Sequence, residues 1–397
     1  MIRVLWFAPI LCLVLITSYG MWGDIYQDVV RTMPWNQEDP ADMVSVEVVD
    51  MAGPQRAQTI QVAQPLRRQQ RQLAGALQAP KFWTDYKRKF VSSDGRVIDT
   101  ANGRISHSEG QGYGLLMALA ADDQPTFARI WVWTQRNLDI REDALSAWRW
   151  NPAATPHVDD MNNASDGDVL IIWALVEAAK RWDNEEYRQV AHEKARDLAD
   201  LLIHSPIGDL ALLPGKHGFT ANDRPDGPVV NLSYWVFPAF DALKNVDPES
   251  DWIGLRNSGL KLLSTSRFGA GDLPPEWLAL GGSSPNIADG FNADFGYNAI
   301  RIPLYLAWWG DGERQLLAPF TAAWVDGDPA VVDLKSGRKK DVLRSDGYKA
   351  VAALAFCAMN GQRLPAFKDQ LNDDHYYPAT LKALVLIAAN QRYPECK

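Results

Sequence analysis

From residue 80 to near the C-terminus, apolar residues recur at intervals of three and four, which predicts helices. In the segment 184–204, Tyr187, Ala191 and Leu198 fall on one face, as in a helix with one buried side. The segments Val169–Val176 and Ala350–Ala358 are apolar on nearly all sides, which is typical of buried helices. Strands of alternating apolar and polar residues are scarce. The pattern predicts an all-α domain with inner and outer helices.

We predict about twelve helices from this spacing. They span residues 80–91, 108–121, 123–137, 166–182, 184–204, 232–245, 250–264, 292–309, 313–325, 345–358, 362–371 and 377–391. The longest connections follow residues 137, 204 and 264, and they are rich in Pro, Gly, Asp and Trp. Long loops on a helical scaffold are where binding residues are expected.

The first 79 residues have a different character. Met1–Trp22 starts with Arg3 and continues through the apolar run Val4–Ile16, the pattern of a secretory signal peptide or of an uncleaved membrane anchor. Residues 23–79 lack periodicity and contain a Gln/Arg/Ala-rich part, which predicts a linker or arm. We therefore expect a secreted or periplasmic protein with its compact domain at residues 80–397.

Composition narrows the possible functions. The chain has 397 residues and a net charge of -9, which argues against a nucleic-acid partner. It holds 16 Trp, most of which are expected to be large core residues, and indoles also suit a groove that stacks sugar rings. Of three cysteines, Cys357 and Cys396 could pair in an oxidising compartment. The six His are scattered and no HExxH motif occurs, so we expect neither a metal nor a cofactor.

The stretch Ser106–Leu116 places one carboxylate, Glu109, among small residues. Gly110, Gly112 and Gly114 follow it, and glycine lets a ligand approach the backbone closely. An apolar run comes next, and Ser108-x-x-Gln111 matches a capping box that would start a buried helix. We interpret Glu109 as a group in the first turn of an inner helix beside open space. The alternative is an ordinary capped helix with a solvated Glu.

Two further stretches place polar groups next to buried helices. Asp166 and Asp168 open the segment Asn162–Trp182, where capping explains one acid but not the whole polar cluster, so a cleft is predicted there. In Phe291–Trp309, the spacing puts Asp294, Asn298 and Arg301 on one face of a predicted helix, with Tyr297 beside them. The alternative is a polar surface stripe.

These stretches resemble glycoside hydrolase family 8, above all the members that accompany bacterial cellulose synthesis. The resemblance runs from about Phe82 to Tyr393. The matching segments are W-x-x-Y-K (Trp83–Lys87), D-G-R-V-I-D (Asp94–Asp99), S-H-S-E-G-Q-G-Y-G (Ser106–Gly114), W-T-Q-x-N-L (Trp133–Leu138), A-W-R-W (Ala147–Trp150), N-N-A-S-D-G-D (Asn162–Asp168) and G-Y-x-A-I-R-x-P-L-Y (Gly296–Tyr305).

The resemblance implies an (α/α)6 barrel with long loops forming a substrate groove. It also implies cleavage of β-1,4-linked glucan, xylan or chitosan with inversion. Glu109 matches the family's general acid. Asp166 matches the signature acid that contacts the sugar at the cleavage point, and we expect it to distort substrate or orient water. Inversion needs two carboxyl groups roughly 6.5–9.5 Å apart, with a water between them.

One residue departs from the family. Many members carry Asp as general base where this chain has Asn298, and an amide cannot take the proton. Asp294, Asp166 and Glu276 are the candidates for the base. If none serves, the chain would be slow or inactive.

We therefore predict an exported endo-β-1,4-glucanase that acts on cellulose, with the cellulose synthase machinery as a possible partner and the membrane reached only through an N-terminal anchor. The predicted substrate contacts are Trp83, Tyr113, Trp148, Trp150, Tyr297, Asn298 and Arg301. Two alternatives stay open. One is a xylanase or chitosanase of the same fold, and the other is a glucan-binding accessory protein that no longer hydrolyses.

Overall fold

The computed structural model describes residues 71–310, 314–366, 371 and 375–397 and, of the first 70 residues, only the backbone of four short strands. The remainder of the predicted signal or anchor, and of the predicted arm up to residue 70, lies outside the described residues. Contacts between Cα atoms divide the chain into two units, Met1–Arg68 and Gln69–Lys397. The four strands of the first unit pair in chain order: β1 (Val4–Phe7), β2 (Leu11–Ile16), β3 (Ser45–Asp50) and β4 (Gln58–Gln61).

The second unit is an (α/α)6 barrel, as predicted. Its inner ring has six positions, each packed against the next, and the last packs against the first and closes the ring. Inner helices are apolar on nearly all sides because they are buried on all sides. The inner positions are α2 (Ser108–Ala120), α4 (Ser165–Trp182), a pair of 3-10 turns at Leu232–Tyr234 and Phe237–Ala239 leading into α6 (Phe240–Val246), α8 (Arg301–Trp309), α10 (Asp346–Asn360) and α11 (Tyr376–Arg392).

Five outer helices cover this ring and bury one face each. In α5, Tyr187, Ala191 and Leu198 are buried, as their spacing predicted, and the opposite face is exposed. The outer helices are α1 (Pro80–Phe90), α3 (Gln124–Asn137), α5 (Glu185–Ala199), α7 (Trp252–Thr265) and α9 (Ala318–Trp324). The described residues thus contain eleven α-helices.

Five predicted helices differ from the structure. Two of them start late, after 3-10 turns: the helix predicted at 232–245 begins at Phe240, and the helix predicted at 313–325 begins at Ala318. The helix predicted at 184–204 ends at Ala199, and strand β7 (Leu202–His204) follows it. The helix predicted at 292–309 starts only at Arg301, because Asp294–Phe295 pairs with another strand. The helix predicted at 362–371 is absent over 362–366, where the chain has no regular secondary structure.

The remaining strands are short and belong to the loops. The largest loop sheet has the order β12–β13–β14, and its hairpin of β13 and β14 reaches the site described below. These strands are β5 (Ser106–His107), β6 (Arg149–Trp150), β7 (Leu202–His204), β8 (Leu210–Leu212), β9 (Val229–Val230), β10 (Leu278–Ala279), β11 (Asn286–Ile287), β12 (Asp294–Phe295), β13 (Ala330–Asp333) and β14 (Lys339–Val342).

Both ends of the barrel unit are attached to its core. Residues 71–79, which the sequence analysis placed in the arm, pack on the barrel: Leu73 and Leu77 are buried, and the Leu77 N–H donates to the Ala120 carbonyl. At the other end, a disulfide joins Cys357 of α10 to Cys396, with their Cα atoms 6.1 Å apart.

Candidate active site

The inner helices begin at one end of the barrel, and their first turns surround a cavity of about 740 Å³. The 3-10 turn at Leu232–Tyr234 and the β13–β14 hairpin complete its walls. Residues that line the cavity include Asp99, His107, Glu109, Trp148, Asp166, Tyr234, Tyr297, Asn298, Arg301, Asp341, Tyr348, Tyr376 and Tyr377.

Glu109 lies in the first turn of α2 and lines the cavity, as predicted from its stretch. The helix is capped differently from the prediction, because the His107 Nδ1 accepts from the Gly110 N–H at 2.9 Å. The capping box is not formed. Gln111 is fully buried and instead accepts from the Val97 N–H and donates to Thr134. Gln111 therefore ties α2 to the surrounding layer.

Arg301 is the centre of the site's polar network. Its guanidinium is almost fully buried, and its Nη1 donates to a carboxylate oxygen of both Glu109 and Asp166, the latter at 2.8 Å. Its Nη2 donates to the Ser233 Oγ at 2.9 Å and to the Asn298 Oδ1 at 3.0 Å. A buried cation with two carboxylate partners and two neutral acceptors is fully compensated.

Glu109 is held at one of its two oxygens. Oε1 accepts from Arg301 and also from the Tyr113 hydroxyl at 3.0 Å. Burial and the charge of Glu109 raise the pKa of Tyr113 well above its usual value, so this hydroxyl remains a donor. The other oxygen, Oε2, lies 3.7 Å from the His107 Nδ1. Oε2 is therefore the less tightly held oxygen of this carboxyl group.

Asp166 is buried at the start of α4. Burial raises its pKa to about 6, the charge of Glu109 acts in the same direction, and Arg301 opposes both. Its neighbour Asp168 has a structural role, because it accepts from the Ser146 N–H and the Asn163 side chain, each at 2.9 Å. The polar cluster that capping alone did not explain thus divides into one cavity group and one buried anchor.

The spacing of Glu109 and Asp166 limits what Asp166 can do. Both accept from the same nitrogen of Arg301, and two hydrogen bonds to one nitrogen place the accepting oxygens within about 6 Å of each other. An inverting pair needs roughly 6.5–9.5 Å so that water fits between the carboxyl groups. Asp166 therefore lies beside the acid rather than across from it.

Two glycines bring the helices that carry these acids together. A Cβ on Gly112 of α2 would lie 2.6 Å from the Leu170 Cβ, and one on Gly167 of α4 would overlap the Ser108 side chain and lie 2.7 Å from the Glu109 N. A Cβ atom does not come this close to other atoms, so only glycine permits this approach of α2 and α4.

The predicted aromatic walls are found in part. Trp148 and Tyr297 line the cavity, and the Tyr297 side chain is 47% exposed. Tyr113 lies beneath the cavity, where it supports Glu109. Trp83 is instead a core residue of α1, whose Nε1 donates to Asp123 at 3.0 Å. Trp150 packs edge-on against Trp133 and is not among the cavity-lining residues.

Asp294 is displaced from the predicted site. It does not share a helix face with Asn298, because it belongs to strand β12, and it does not line the cavity. Its Oδ2 accepts from the Lys340 Nζ at 2.6 Å in an ion pair with the hairpin. The helical spacing that joined it to Asn298 and Arg301 was wrong, since strand pairing replaces the first turns of the predicted helix.

Glu276 lies directly behind the cavity wall. Its Oε1 accepts from the Asn298 backbone N–H at 2.7 Å, although its long loop gave no indication of this contact. Burial raises the pKa of Glu276, while hydrogen bonds from Asn298 and the charge of Arg301 oppose that shift.

This chain is similar in sequence to a known family of proteins. The profile of a family described as "Glycosyl hydrolases family 8" matches residues 71–391. The chain belongs to this family.

Its relatives and structural neighbours agree with that assignment. A probable endoglucanase of Novacetimonas hansenii is 38% identical over 312 residues, covering 77% of this chain and 89% of the relative. The structure of endo-beta-1,4-glucanase CMCax from Acetobacter xylinum gives a TM-score of 0.72 at 36% identity, over 81% of this chain and 99% of that one. Endoglucanase Cel10 from Klebsiella pneumoniae, described as a family 8 glycosyl hydrolase, gives 0.72 at 35% identity, over 78% and 99%.

Sequence analysis of this family 8 chain missed several cavity residues. His107 and Asp99 lie within recognised motifs, but no spacing rule singled them out. Tyr376 and Tyr377 lie at the start of the buried helix α11, so the rule that found Glu109 and Asp166 at the starts of inner helices would have found them too. No feature of the sequence indicated Asp341, because only the pairing of β12, β13 and β14 places the hairpin at the site.

Two features are absent from the described residues. His, Cys, Asp and Glu side chains form no group of three or more that could hold a metal ion within this part of the chain. Of the helices in the described ranges, none has the length and apolar character needed to cross a membrane.

Proposed function

We propose that this family 8 protein is an endo-β-1,4-glucanase that cuts cellulose chains with inversion. The observation that carries the proposal is Glu109, which lines an open cavity with Oε1 held by Arg301 and Tyr113 and with Oε2 3.7 Å from the nearest His107 nitrogen. The endoglucanases and the endo-beta-1,4-glucanase to which the chain is similar favour glucan over xylan or chitosan as substrate.

Each side chain of the site then has a defined task. Glu109 gives its proton to the glycosidic oxygen as the bond breaks, which is general acid catalysis. Asp166 and Arg301 bind the sugar at the cleavage point and hold it in a distorted shape, since they lie beside the acid. Trp148 and Tyr297 offer flat apolar surfaces to neighbouring sugar rings.

The test is release of reducing ends from carboxymethylated cellulose, xylan and chitosan by the purified protein. We expect release from the first polymer only, and a loss of about 10²–10⁴-fold in kcat/KM for Glu109→Gln. Glu185→Gln, a change at an exposed carboxylate of α5, is the control and should keep wild-type activity. Glucan binding without new reducing ends would favour the accessory-protein alternative and contradict the proposal.

We also propose that the protein is exported and trims glucan made by a cellulose synthase. The charged start and apolar run of residues 1–22 support export. The disulfide between Cys357 and Cys396 supports it as well, because such bonds persist in oxidising compartments. The redox state of the two cysteines in cells tests this localisation.

A further inference from the structure

The reaction needs a proton acceptor on the side of the cavity that faces Glu109. Among the described residues, four carboxylates line the cavity, and three of them lie near one another. Asp166 shares Arg301 with Glu109, and Asp99 lies 3.7 Å from the Nε2 of His107, whose Nδ1 is 3.7 Å from Glu109. Neither Asp166 nor Asp99 is placed to receive a proton from a water across the cleavage point.

The opposite side of the ring carries Asn298. It shortly precedes α8, which is three positions from α2 in the six-membered inner ring. The Asn298 side chain lines the cavity, and its Oδ1 accepts from the Nη2 of Arg301, while the Nη1 of Arg301 contacts Glu109. The guanidinium therefore lies between the Asn298 side chain and Glu109, and the Asn298 amide nitrogen, which carries two N–H donors, has a hydrogen bond to Glu276.

Glu276 is a carboxylate that contacts Asn298. Asp166 shares a nitrogen of Arg301 with Glu109, whereas the hydrogen bond of Glu276 comes from Asn298. The Glu276 Oε1 is 2.7 Å from the Asn298 backbone N, which fixes the carboxylate against the chain at Asn298, a cavity-lining residue, although Glu276 is not itself among those that line the cavity. Gly296 makes room for it, because a Cβ at that position would come to 3.0 Å from the same oxygen. The side chain is half-buried, so solvent can reach it.

We propose that Glu276 is the general base of this enzyme, and that Asn298 orients the water that attacks the sugar. The proposal rests on the proposed glucanase function. In the reaction, the water oxygen bonds to the anomeric carbon while Glu276 takes one water proton. The bond to the leaving oxygen breaks, and that oxygen takes the proton of Glu109. Solvent then returns a proton to Glu109 and removes one from Glu276.

The charges around Glu276 are consistent with this role. Burial raises its pKa, and the nearby carboxylate of Asp294 adds to that shift. Arg301 and the hydrogen bonds from Asn298 act in the opposite direction. The hydroxyls of Tyr234 and Tyr297 also lie within its field, and both have raised pKa values, so they stay neutral. A carboxylate with a raised pKa is a stronger base, and it loses activity as the pH falls through that pKa.

The competing acceptor is Asp341, the fourth cavity-lining carboxylate of the described residues. Its Oδ2 accepts from the Tyr297 hydroxyl at 2.7 Å, so it lies a full tyrosine side chain away from the backbone at position 297. Glu276 contacts Asn298 directly, whereas Asp341 reaches this segment only through the Tyr297 hydroxyl.

The experiment compares Glu276→Gln, Asp341→Asn, Asp294→Asn and the double variant Glu276→Gln with Asn298→Asp on carboxymethylated cellulose. We expect Glu276→Gln to lose about 10²–10⁴-fold in kcat with KM little changed, and to lose the acidic limb of its pH profile. The double variant should have a kcat at least about tenfold above that of Glu276→Gln alone. The carboxylate that Asn298→Asp adds supplies a base at the position where many family members have one. Binding of cellopentaose, followed by tryptophan fluorescence, shows that each variant is folded.

Asp294→Asn is the matched control, because it removes a nearby carboxylate that pairs with Lys340, whereas Glu276 contacts Asn298. It should keep its activity and shift the acidic limb to lower pH, since the charge of Asp294 raises the pKa of Glu276. Activity within about threefold of wild type for Glu276→Gln would overturn the proposal, since a general base contributes far more than that. A lack of rescue in the binding-competent double variant would do the same, as would loss of turnover in Asp341→Asn alone. Glucan binding without release of reducing ends by the wild-type protein would refute the glucanase function instead.

Discussion

At the scale of single residues, Arg301 determines how the site is arranged. Its planar guanidinium presents several donors in fixed directions, so one side chain holds Glu109, Asp166, Ser233 and Asn298 at once. A lysine would supply one flexible point charge and could not reproduce this geometry. The arrangement keeps two carboxylates close together in a buried place, where their mutual repulsion would otherwise separate or protonate them.

Arg301→Gln should therefore destabilise the protein, and more strongly at high pH. Removing one partner of a buried ion pair costs about 3–5 kcal/mol. Without Arg301, the pKa of Asp166 rises further above its present value of about 6. A carboxyl whose pKa in the folded state exceeds that in the unfolded state loses stability as the pH rises toward the folded-state pKa.

The measurement is urea unfolding of Arg301→Gln and wild type at about pH 5 and about pH 8. The difference in free energy of unfolding should be larger at the higher pH. Equal differences at both values would show that Asp166 does not depend on Arg301 for its charge.

At the scale of secondary structure elements, the site is made by the ends of helices. The inner helices point their N-terminal ends at the cavity, and Glu109 and Asp166 each lie in a first turn, where the helix dipole favours negative charge. How closely the two acids approach is set by the contact of α2 with α4. That contact depends on Gly112 and Gly167, which leave no side chain between the helices.

Gly167→Ala should therefore separate α2 from α4. Its Cβ would overlap the Ser108 side chain and press on the Glu109 backbone, and overpacking of this kind costs about 1–3 kcal/mol. We expect a lower melting temperature and at least about a tenfold loss of kcat, since displacement of a catalytic group by about 1 Å costs about 10²-fold. Gly327→Ala is the control, because nothing lies within 4 Å of its Cβ. Wild-type kcat in Gly167→Ala would show that the acids tolerate this displacement.

At the scale of the whole molecule, closure of the barrel depends on the C-terminal part of the chain. Helix α11 packs against α2 and completes the ring, and it brings Tyr376 and Tyr377 to the cavity. The disulfide between Cys357 and Cys396 joins residues 39 positions apart, and the loop that it closes includes all of α11. The cross-link therefore restricts the segment that completes both barrel and site.

Loss of this disulfide should lower stability by about 3–4 kcal/mol, because the unfolded chain gains the conformational freedom of the opened loop. Guanidinium unfolding of the double variant Cys357→Ser with Cys396→Ser should show a lower midpoint than wild type. In cells, thiol labelling should find both cysteines blocked in the full chain and reactive after deletion of residues 1–22. Labelling of both in the full chain would contradict export.

Much of this protein follows from its sequence alone. The three-four spacing of apolar residues determines that the domain is helical, and the helices without a polar face identify the inner ring. Polar residues at the starts of those helices located Glu109 and Asp166, because a carboxylate next to a fully apolar helix must face an opening or a partner. Asn298 and Arg301 were found by their spacing on a predicted helix face, with Tyr297 beside them, and by the resemblance to the family.

Only the tertiary structure decided the rest, because those contacts join residues far apart in sequence. Pairing of Asp294–Phe295 with β13 replaced the first turns of the helix predicted at 292–309, so Asp294 lies away from the cavity. Trp83 lies on the inward face of α1 and is buried in the core. Asp341 belongs to the hairpin of β13 and β14 and lines the cavity. The link from Glu276 to Asn298 spans 22 residues, and the one from Arg301 to Glu109 spans 192, distances at which local periodicity carries no information.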